Sequence, residues 1–430
     1  MTSSSRATRY AVCASSTLVT LLAVASAHAS PSQAASAAQL GLPTATPESQ
    51  GFSTAGLDAL NSEMHALVDR HQLAGVTTLI ARHGKIVHFD AYGKANATTG
   101  KALEPDSIFR IASMTKPIAG VAMMQLYERG KWRLDDPVAK YIPEFAHLQV
   151  KKAGGGTEPM RSPLTMAQVM SHSAGFGGSA VYETADLNAT NLQGMIDKLK
   201  VLPLETQPGT AWDYGPSVNI QGYLIEKLSG QSLDVYFEQH IFKPLGMVDT
   251  GFWVPQTKAD RVVAVHTYDK GKIIAQPNGR VATSKPTFLS ASGGLMSSAP
   301  DYWRFAQAIG NGGELDGKRI LQAKTVELMR TNVLPPGVNV DLYGPNMGGI
   351  GFGMDFAIVM DPKAANTPQG VNSFYWGGAF GTWFWIDPTN DLVFVGMIQN
   401  VNGSRPDAGT PPVRNISIAA IYKALTDAKK

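Results

Sequence analysis

The apolar residues that follow residue 50 repeat every three or four positions, which is the spacing of an amphipathic helix. They are Leu57, Leu60, Met64, Leu67 and Val68. Ser53 precedes them and is a suitable N-cap, because its hydroxyl can accept a hydrogen bond from a backbone N–H of the first turn. Two runs rich in β-branched residues, 76–82 and 85–92, then flank His83-Gly84. That pattern predicts an antiparallel hairpin.

Between residues 113 and 285 the pattern changes to helices separated by loops. The predicted helices cover residues 117–129, 164–170, 192–201, 218–228 and 233–242. Strands return after residue 285, where alternating or β-branched runs lie between Gly-rich and Asp-Pro turns. These predicted strands cover residues 349–360, 373–376, 382–386 and 392–398. A final amphipathic helix is predicted at 416–425.

Strands near both ends of the chain, with helices between them, predict an α/β (α+β) fold. Its antiparallel sheet would be built from both chain ends and flanked by helices, with a mainly helical insertion. We assign residues 49–112 and 286–427 to the sheet domain and residues 113–285 to the mainly helical domain. The length of 430 residues suits two joined domains of this kind.

The N-terminus has the pattern of an export signal. Arg6 and Arg9 supply a basic region, residues 10–25 are small or apolar, and residues 27–29 read Ala-His-Ala, which is a typical cleavage site. A membrane anchor is the alternative, but the apolar run is short for a span. We therefore expect removal of a signal peptide at 1–29, a flexible leader from 30 to 48, and a periplasmic or secreted protein without a stable membrane span.

Composition narrows the possible functions. The net charge is only +3 over 430 residues, and no stretch clusters lysine with aromatic residues, which argues against a nucleic-acid partner. Cys13 is the only cysteine and lies within the predicted signal. The mature protein would therefore have no disulfide, no thiolate nucleophile and no cysteine metal site.

Ser113 and Lys116 are the first candidates for catalysis, because residues three apart lie on one face of a helix. Burial makes a lysine ammonium easier to deprotonate, so the amine could serve as base for the hydroxyl. A Ser-His-Asp site is the alternative, but the sequence has no Gly-x-Ser-x-Gly elbow. A structural alternative makes Ser113 a helix cap and Lys116 a solvated side chain, since an isolated S-x-x-K occurs by chance about once in such a chain.

Two further motifs accompany this pair. Residues 208–219 read Pro-Gly-Thr-Ala-Trp-Asp-Tyr-Gly-Pro-Ser-Val-Asn, and residues 376–382 read Trp-Gly-Gly-Ala-Phe-Gly-Thr. Flanking blocks follow the same order at 170–176, 241–250, 292–298 and 311–317. On these motifs the chain resembles class C serine β-lactamases and their penicillin-binding-protein-like relatives, and it is most similar to family VIII carboxylesterases. The resemblance runs from about residue 50 to residue 400.

The resemblance implies a set of roles for the matching residues. Ser113 would be the acylated nucleophile, and Lys116 and Tyr214 would share the general-base role. The backbone N–H groups of Ser113 and Ala379 would form the oxyanion hole. Residues 376–378, which are Trp376, Gly377 and Gly378, would bind substrate along a strand edge. No metal and no cofactor are implied.

Two departures from the family pattern point toward esters. Pro216 stands two residues after Tyr214, where lactamases and peptidases usually have an asparagine that contacts a substrate amide. Asn219 is five residues past the tyrosine, so we do not assign it that role. Trp376 stands where those enzymes carry a lysine that helps to bind the substrate carboxylate. Both departures weaken recognition of β-lactams and peptides, and they leave ester chemistry intact.

The sequence thus predicts an exported serine hydrolase that cleaves carboxylic esters through an acyl-serine intermediate, with a small-molecule ester or amide as its partner. A weak β-lactamase, a D-amino-acid amidase or peptidase, and an acyltransferase are alternatives within the enzyme class. A catalytically silent binding module is the alternative from another class, although a pure binder has no need of Ser113, Lys116 and Tyr214 together. His172 is typical of the family, and we interpret it as structural.

Overall fold

The computed structural model describes residues 37–177, 189–269, 271–276, 281–341, 347–406 and 409–427. The predicted signal peptide at 1–29 and the first part of the leader lie outside the described residues, so both stay predictions. Within the described ranges no helix is long and apolar enough to cross a membrane.

The α-helices are labelled in chain order. They are α1 Thr54–Asp69, α2 Thr115–Glu128, α3 Met166–Met170, α4 Leu192–Leu199, α5 Ser217–Ser229, α6 Leu233–Phe237, α7 Lys243–Leu245, α8 Ala299–Gly310, α9 Ala323–Met329 and α10 Val413–Ala424. Ser53 caps α1 as predicted, since its side chain accepts from the Gly56 N–H. Thr165 and Gln168 form a capping box at the start of α3.

The strands of the first half of the chain are β1 Gly75–Arg82, β2 Lys85–Asn96, β3 Lys101–Ala102, β4 Ile108–Arg110, β5 Gln149–Lys151, β6 Thr157–Pro159, β7 His266–Asp269 and β8 Lys272–Ala275. Those that follow are β9 Met296–Ser298, β10 Glu314–Leu315, β11 Lys318–Arg319, β12 Ile350–Phe352, β13 Ala357–Val359, β14 Phe374–Gly377, β15 Trp383–Asp387 and β16 Leu392–Met397.

The main sheet joins the two ends of the chain. Its strand order is β12-β13-β14-β15-β16-β1-β2-β3, and its neighbouring strands are antiparallel. The central pairing places Leu79 of β1 opposite Val395 of β16. The predicted sheet built from both chain ends is therefore confirmed, while the proposed division into two domains stays a prediction.

Helices cover both faces of this sheet, which is why all eight residues of β1 are buried. On one face, Ile80 packs with the apolar side chains of α1 and α10. On the other face, Leu79 joins the larger core that contains α2 and α8. The short strands β4 and β9 pair beside this core. The chain passes from β4 into the turn that carries Ser113 at the start of α2.

Two sequence predictions differ from the structure. The single strand predicted at 349–360 is wrong: β12 and β13 form a hairpin, and the Gly353 N–H bonds to the Phe356 carbonyl across its turn. Asp355 adopts a left-handed φ of 63° there, which breaks the strand. The helix predicted at 233–242 is α-helical only in its first half: α6 ends at Phe237, and a π-helical turn follows at Glu238–Phe242.

Candidate active site

Ser113 and Lys116 meet at the start of α2. Ser113 lies in a 3₁₀ turn, Ala112–Met114, that runs directly into the helix. Lys116 Nζ donates to Ser113 Oγ at 3.2 Å and to the Ser292 carbonyl oxygen at 2.8 Å. The lysine is only 2% exposed, so the alternative of a solvated side chain is wrong. A buried amine beside a half-buried hydroxyl is an arrangement that can remove the hydroxyl proton.

The turn before α2 has a strained backbone. Ala112 adopts a left-handed φ of 45°, which costs a residue with a Cβ on the order of 1 kcal/mol. Contacts from distant segments hold this turn: Thr382 Oγ1 donates to the Ile111 carbonyl at 3.1 Å, and the Tyr302 hydroxyl donates to the Met114 carbonyl at 2.9 Å. The predicted nucleophile is therefore fixed from both sides.

Tyr214 lies against the same lysine. Lys116 Nζ is 4.6 Å from the centroid of the Tyr214 ring. Aromatic rings surround the tyrosine, with centroids at 4.9 Å for His172, 5.7 Å for Trp212 and 5.5 Å for Trp376. The structure thus brings the three predicted catalytic residues together, and Trp376 lies beside them as an apolar wall.

The end of β14 approaches the nucleophile segment closely. A Cβ at Gly378 would lie 2.3 Å from the Ile111 carbonyl oxygen, so only glycine fits there. This contact lies two residues before Ser113 in sequence. The Ala379 N–H has no hydrogen-bond acceptor among the described residues and can donate to a substrate oxygen. Its pairing with the Ser113 N–H in an oxyanion hole stays a prediction.

A cleft of about 1010 Å³ borders this strand end. Tyr214 and residues 376–379 line one part of it, and Val340 lines another. Its charged lining residues are Arg405 and Arg414, and no Asp or Glu is among the described lining residues. The volume is at the upper end of the range for small-molecule sites.

Arg414 is a cation that sequence reasoning missed. Its guanidinium fills the space beside Gly377, where a Cβ would lie 2.6 Å from a guanidinium nitrogen. The same group donates to the Gly378 carbonyl at 3.2 Å. Trp376 is the residue of β14 that precedes Gly377, and α10 brings a positive charge to the opposite face of this strand. No motif signalled it, because α10 lies beyond the matched blocks.

Asn219 has a role that the sequence did not indicate. Its Oδ1 accepts from the Ser292 N–H at 2.9 Å and from Ser290 Oγ at 3.2 Å. It therefore positions the segment whose carbonyl accepts from Lys116. Its position in the tyrosine motif was the one available signal, and spacing alone could not connect it to Ser292.

A buried acid and a buried base lie behind these residues. His172 and Asp355 are 0% and 1% exposed, and His172 Nε2 is 3.8 Å from Asp355 Oδ1. Burial, together with the charge of Lys116, lowers the pKa of His172 well below its usual range. Burial raises the pKa of Asp355 well above its usual range. Within the described residues, no three His, Cys, Asp or Glu side chains converge to hold a metal ion.

Comparisons with known proteins give the family and the fold of the chain. The family model described as Beta-lactamase matches residues 60–416. Esterase EstB of Burkholderia gladioli is 31% identical over 374 residues, which cover 80% of this chain and 89% of EstB. The solved structure of EstCE1, described as a hydrolase with promiscuous acyltransferase activity, has a TM-score of 0.72 and 23% identity, covering 86% of this chain and 98% of EstCE1. Simvastatin synthase (LovD) from Aspergillus terreus has a TM-score of 0.72 and 20% identity, covering 87% of this chain and 100% of LovD.

Proposed function

The chain belongs to the beta-lactamase family of serine hydrolases and has the β-lactamase/transpeptidase-like fold, and from this premise we propose that it is an exported esterase acting through an acyl-Ser113 intermediate. The observation that carries the proposal is the 3.2 Å contact between Nζ of the buried Lys116 and Oγ of the half-buried Ser113. A serine hydroxyl is protonated at neutral pH, so a nucleophilic serine needs such a base within reach.

In the first step, Ser113 Oγ attacks the ester carbonyl carbon while its proton passes to the Lys116–Tyr214 pair. Negative charge then develops on the carbonyl oxygen, where the N–H groups of Ser113 and Ala379 would stabilise it. Collapse of this intermediate breaks the ester C–O bond, and the proton held by the pair goes to the leaving alkoxide. Water, deprotonated by the same pair, then attacks the acyl-serine. The bond between the acyl carbon and Ser113 Oγ breaks, the pair returns its proton to Ser113 Oγ, and the acid is released.

Two observations support a preference for esters: two motif positions lack the polar side chains that bind peptides and β-lactams, and a similar protein is named an esterase. Trp376 gives the cleft an apolar wall where a lysine would otherwise favour a substrate carboxylate, and Pro216 has no side-chain amide for a peptide bond. The similar protein EstB is named an esterase. Esters also release a better leaving group than amides do, so fewer contacts to the leaving group are needed.

Acyl transfer is the second candidate, and the cleft favours it. Its volume of about 1010 Å³ exceeds what a short acyl ester fills. Tyr214 and Ala379 line this cleft and Ser113 does not, so an alcohol could lie next to the proposed site and replace water. The similar structure EstCE1 is described as having promiscuous acyltransferase activity. Adding alcohols of increasing size to the ester assay would separate the two, because transfer yields a new ester while hydrolysis yields only acid.

One assay tests the esterase proposal. The wild-type protein, Ser113→Ala and the control Ser62→Ala, which alters an exposed serine on α1, are incubated with p-nitrophenyl butyrate, nitrocefin and a D-alanyl peptide. We expect ester turnover by the wild type and the control, and none by Ser113→Ala. Equal ester turnover by all three would exclude the acyl-Ser113 mechanism. Turnover of nitrocefin or peptide far above that of the ester would exclude the esterase, and stoichiometric labelling without turnover would favour a binding module.

Export is tested separately. Expressed in a bacterial host with its full N-terminus, the protein should be recovered from the periplasm or medium with Ser30 as its first residue. Recovery only from the cytoplasm with residues 1–29 intact would contradict this part of the proposal.

A further inference from the structure

A sealed polar cluster lies behind the proposed general base, and the mechanism above does not use it. It consists of His172, Asp355 and Gln221, none of which is more than 1% exposed. Gln221 Nε2 donates to Asp355 Oδ1 at 3.2 Å, and His172 Nε2 lies 3.8 Å from the same oxygen. The three residues come from the β12–β13 turn, α5 and the segment after α3, so tertiary packing alone brings them together.

The cluster contacts Tyr214 directly and lies against the helix that carries Lys116. The His172 ring packs on Tyr214 with its centroid 4.9 Å away. Gly120 lies one helical turn after Lys116 and therefore on the same face of α2. A Cβ at Gly120 would lie 2.7 Å from Asp355 Oδ2, so the missing side chain is what lets the carboxyl approach the helix. Asp355 thus lies against α2 one turn from Lys116.

The backbone conformations and the unpaired polar atoms of this cluster are energetically unfavourable. His172 and Asp355 adopt left-handed φ values of 58° and 63°, each unfavourable for a residue with a Cβ. Four of the cluster's buried polar atoms have no hydrogen-bond partner within the described protein: both ring nitrogens of His172, Asp355 Oδ2 and Gln221 Oε1. Apolar side chains would pack here more favourably. Unfavourable backbone conformations and unpaired buried polar atoms are often retained where a residue has a function. Their position next to Tyr214 therefore suggests a function for this cluster.

The charge of the cluster determines how it can affect the proposed general base, Lys116 with Tyr214. Among the described residues, Lys116 is the charged group that acts electrostatically on both His172 and Asp355, and Tyr214 is the other titratable group that packs on the cluster. Burial favours the uncharged carboxyl and the uncharged imidazole. An uncharged cluster can act on the pair through packing and not as a counter-ion.

We propose that Asp355 is a positioning residue for the general-base pair that acts by packing and not as a counter-ion: its carboxyl, held by Gln221, lies behind the His172 ring and supports that ring against Tyr214. Asp355 therefore acts through His172 and Tyr214 and does not touch the substrate. This inference rests on the proposed function, since it assumes that Lys116 and Tyr214 remove the proton of Ser113.

The test measures how fast a fluorophosphonate probe labels Ser113 as a function of pH, because such labelling needs the activated serine but no natural substrate. The variant Asp355→Asn keeps the acceptor for Gln221 and tolerates the left-handed φ. If the carboxyl is uncharged, the acid limb of the rate profile moves by less than about 0.3 pH unit. A shift of about one unit or more toward lower pH would show that a carboxylate was removed, and it would overturn the proposal.

The positioning role is tested with His172→Asn, which also tolerates its φ but removes the ring beside Tyr214. We expect the plateau labelling rate to fall about tenfold or more, as misplaced catalytic groups lose efficiency steeply. A rate within about twofold of the wild type would overturn the role of His172 in orienting Tyr214. Near-ultraviolet circular dichroism confirms that each variant is folded.

Two matched controls alter buried residues elsewhere. Asp387→Asn changes a 0%-exposed carboxyl that bonds to Gly370, Asn390 and Tyr422, and His88→Asn changes a 0%-exposed histidine beside Thr78. Both should leave the pH profile and the plateau labelling rate unchanged even if they lower stability, and a fall in the plateau rate equal to that of His172→Asn would overturn the assignment. Absence of Ser113-dependent labelling in the wild type would overturn the proposed function. Normal labelling without ester turnover would reject only the esterase.

Discussion

Lys116 Nζ donates to the carbonyl oxygen of Ser292 at 2.8 Å, so a backbone atom from a distant segment aims the proposed base at Ser113. A backbone carbonyl carries no net charge, so it orients the amine without forming an ion pair with it. Asn219 in turn fixes this segment through the Ser292 N–H. The orientation of the base thus depends on a chain of contacts that begins on α5.

Removing the amine should abolish most of the activity. For Lys116→Met, which keeps the length and apolar stem of the side chain, we expect kcat for p-nitrophenyl butyrate to fall about 10²- to 10⁴-fold, as when a general base is lost. KM should change little, because the buried amine is not part of the cleft lining. Lys140→Met, which alters an exposed lysine paired with Asp136, is the control and should retain full activity. A kcat within tenfold of the wild type would contradict the base role.

Asn219→Ala should release the Ser292 segment. The variant leaves the Ser292 N–H and Ser290 Oγ without their shared acceptor, which costs about 1–3 kcal/mol of unfolding free energy. We also expect kcat to fall about tenfold, because the Lys116 amine is no longer held in position beside Ser113. Asn191→Ala removes the cap of α4 and should cost stability without lowering kcat. Equal kcat losses in both variants would mean that Asn219 acts only through stability.

Gly378→Ala should separate the strand end from the nucleophile segment. The new Cβ would meet the Ile111 carbonyl and Thr382 Oγ1, both at 2.3 Å, so the backbone has to move. A displacement of this size near the reacting atoms lowers kcat by about 100-fold. Gly194→Ala in α4 meets only Asn191 Oδ1 at 3.4 Å and Thr190 Oγ1 at 3.8 Å, and it should be active. Full activity of Gly378→Ala would refute the close approach.

His88 should make the fold sensitive to acid. Burial lowers its pKa from 6.5 to about 4, although the nearby Asp90 opposes the shift. A histidine with a depressed folded-state pKa contributes stability that is fully present above pH 6.5 and is lost as the pH falls toward 4. The loss amounts to ~3 kcal/mol over that window.

Urea unfolding between pH 4 and pH 7 measures this contribution. His88→Gln, which can still bond to Thr78 Oγ1, should flatten the pH dependence, whereas His147→Gln at an exposed site should not. A variant that keeps the full wild-type slope would show that other groups cause the acid sensitivity.

Local patterns along the chain were sufficient for many of the helices and strands and for the contact between Ser113 and Lys116. The hairpin β1–β2 follows from alternation and a His-Gly turn, and the Ser113–Lys116 contact follows from helical periodicity over three residues. The placement of Tyr214 and residues 376–379 in one site came instead from the family resemblance of their motifs. Helices, hairpins and contacts over three residues depend on near neighbours in the chain, so the sequence expresses them directly.

Tertiary packing alone decided the rest. Whether residues 349–360 form one strand or a hairpin depends on the left-handed turn at Asp355, and that turn is what places a carboxyl against α2. The contacts of Arg414 with the Gly378 carbonyl and of Asn219 with Ser292 join segments far apart in the chain. Spacing carries no information about such pairs, because their distance is set by how helices and strands pack and not by the number of residues between them.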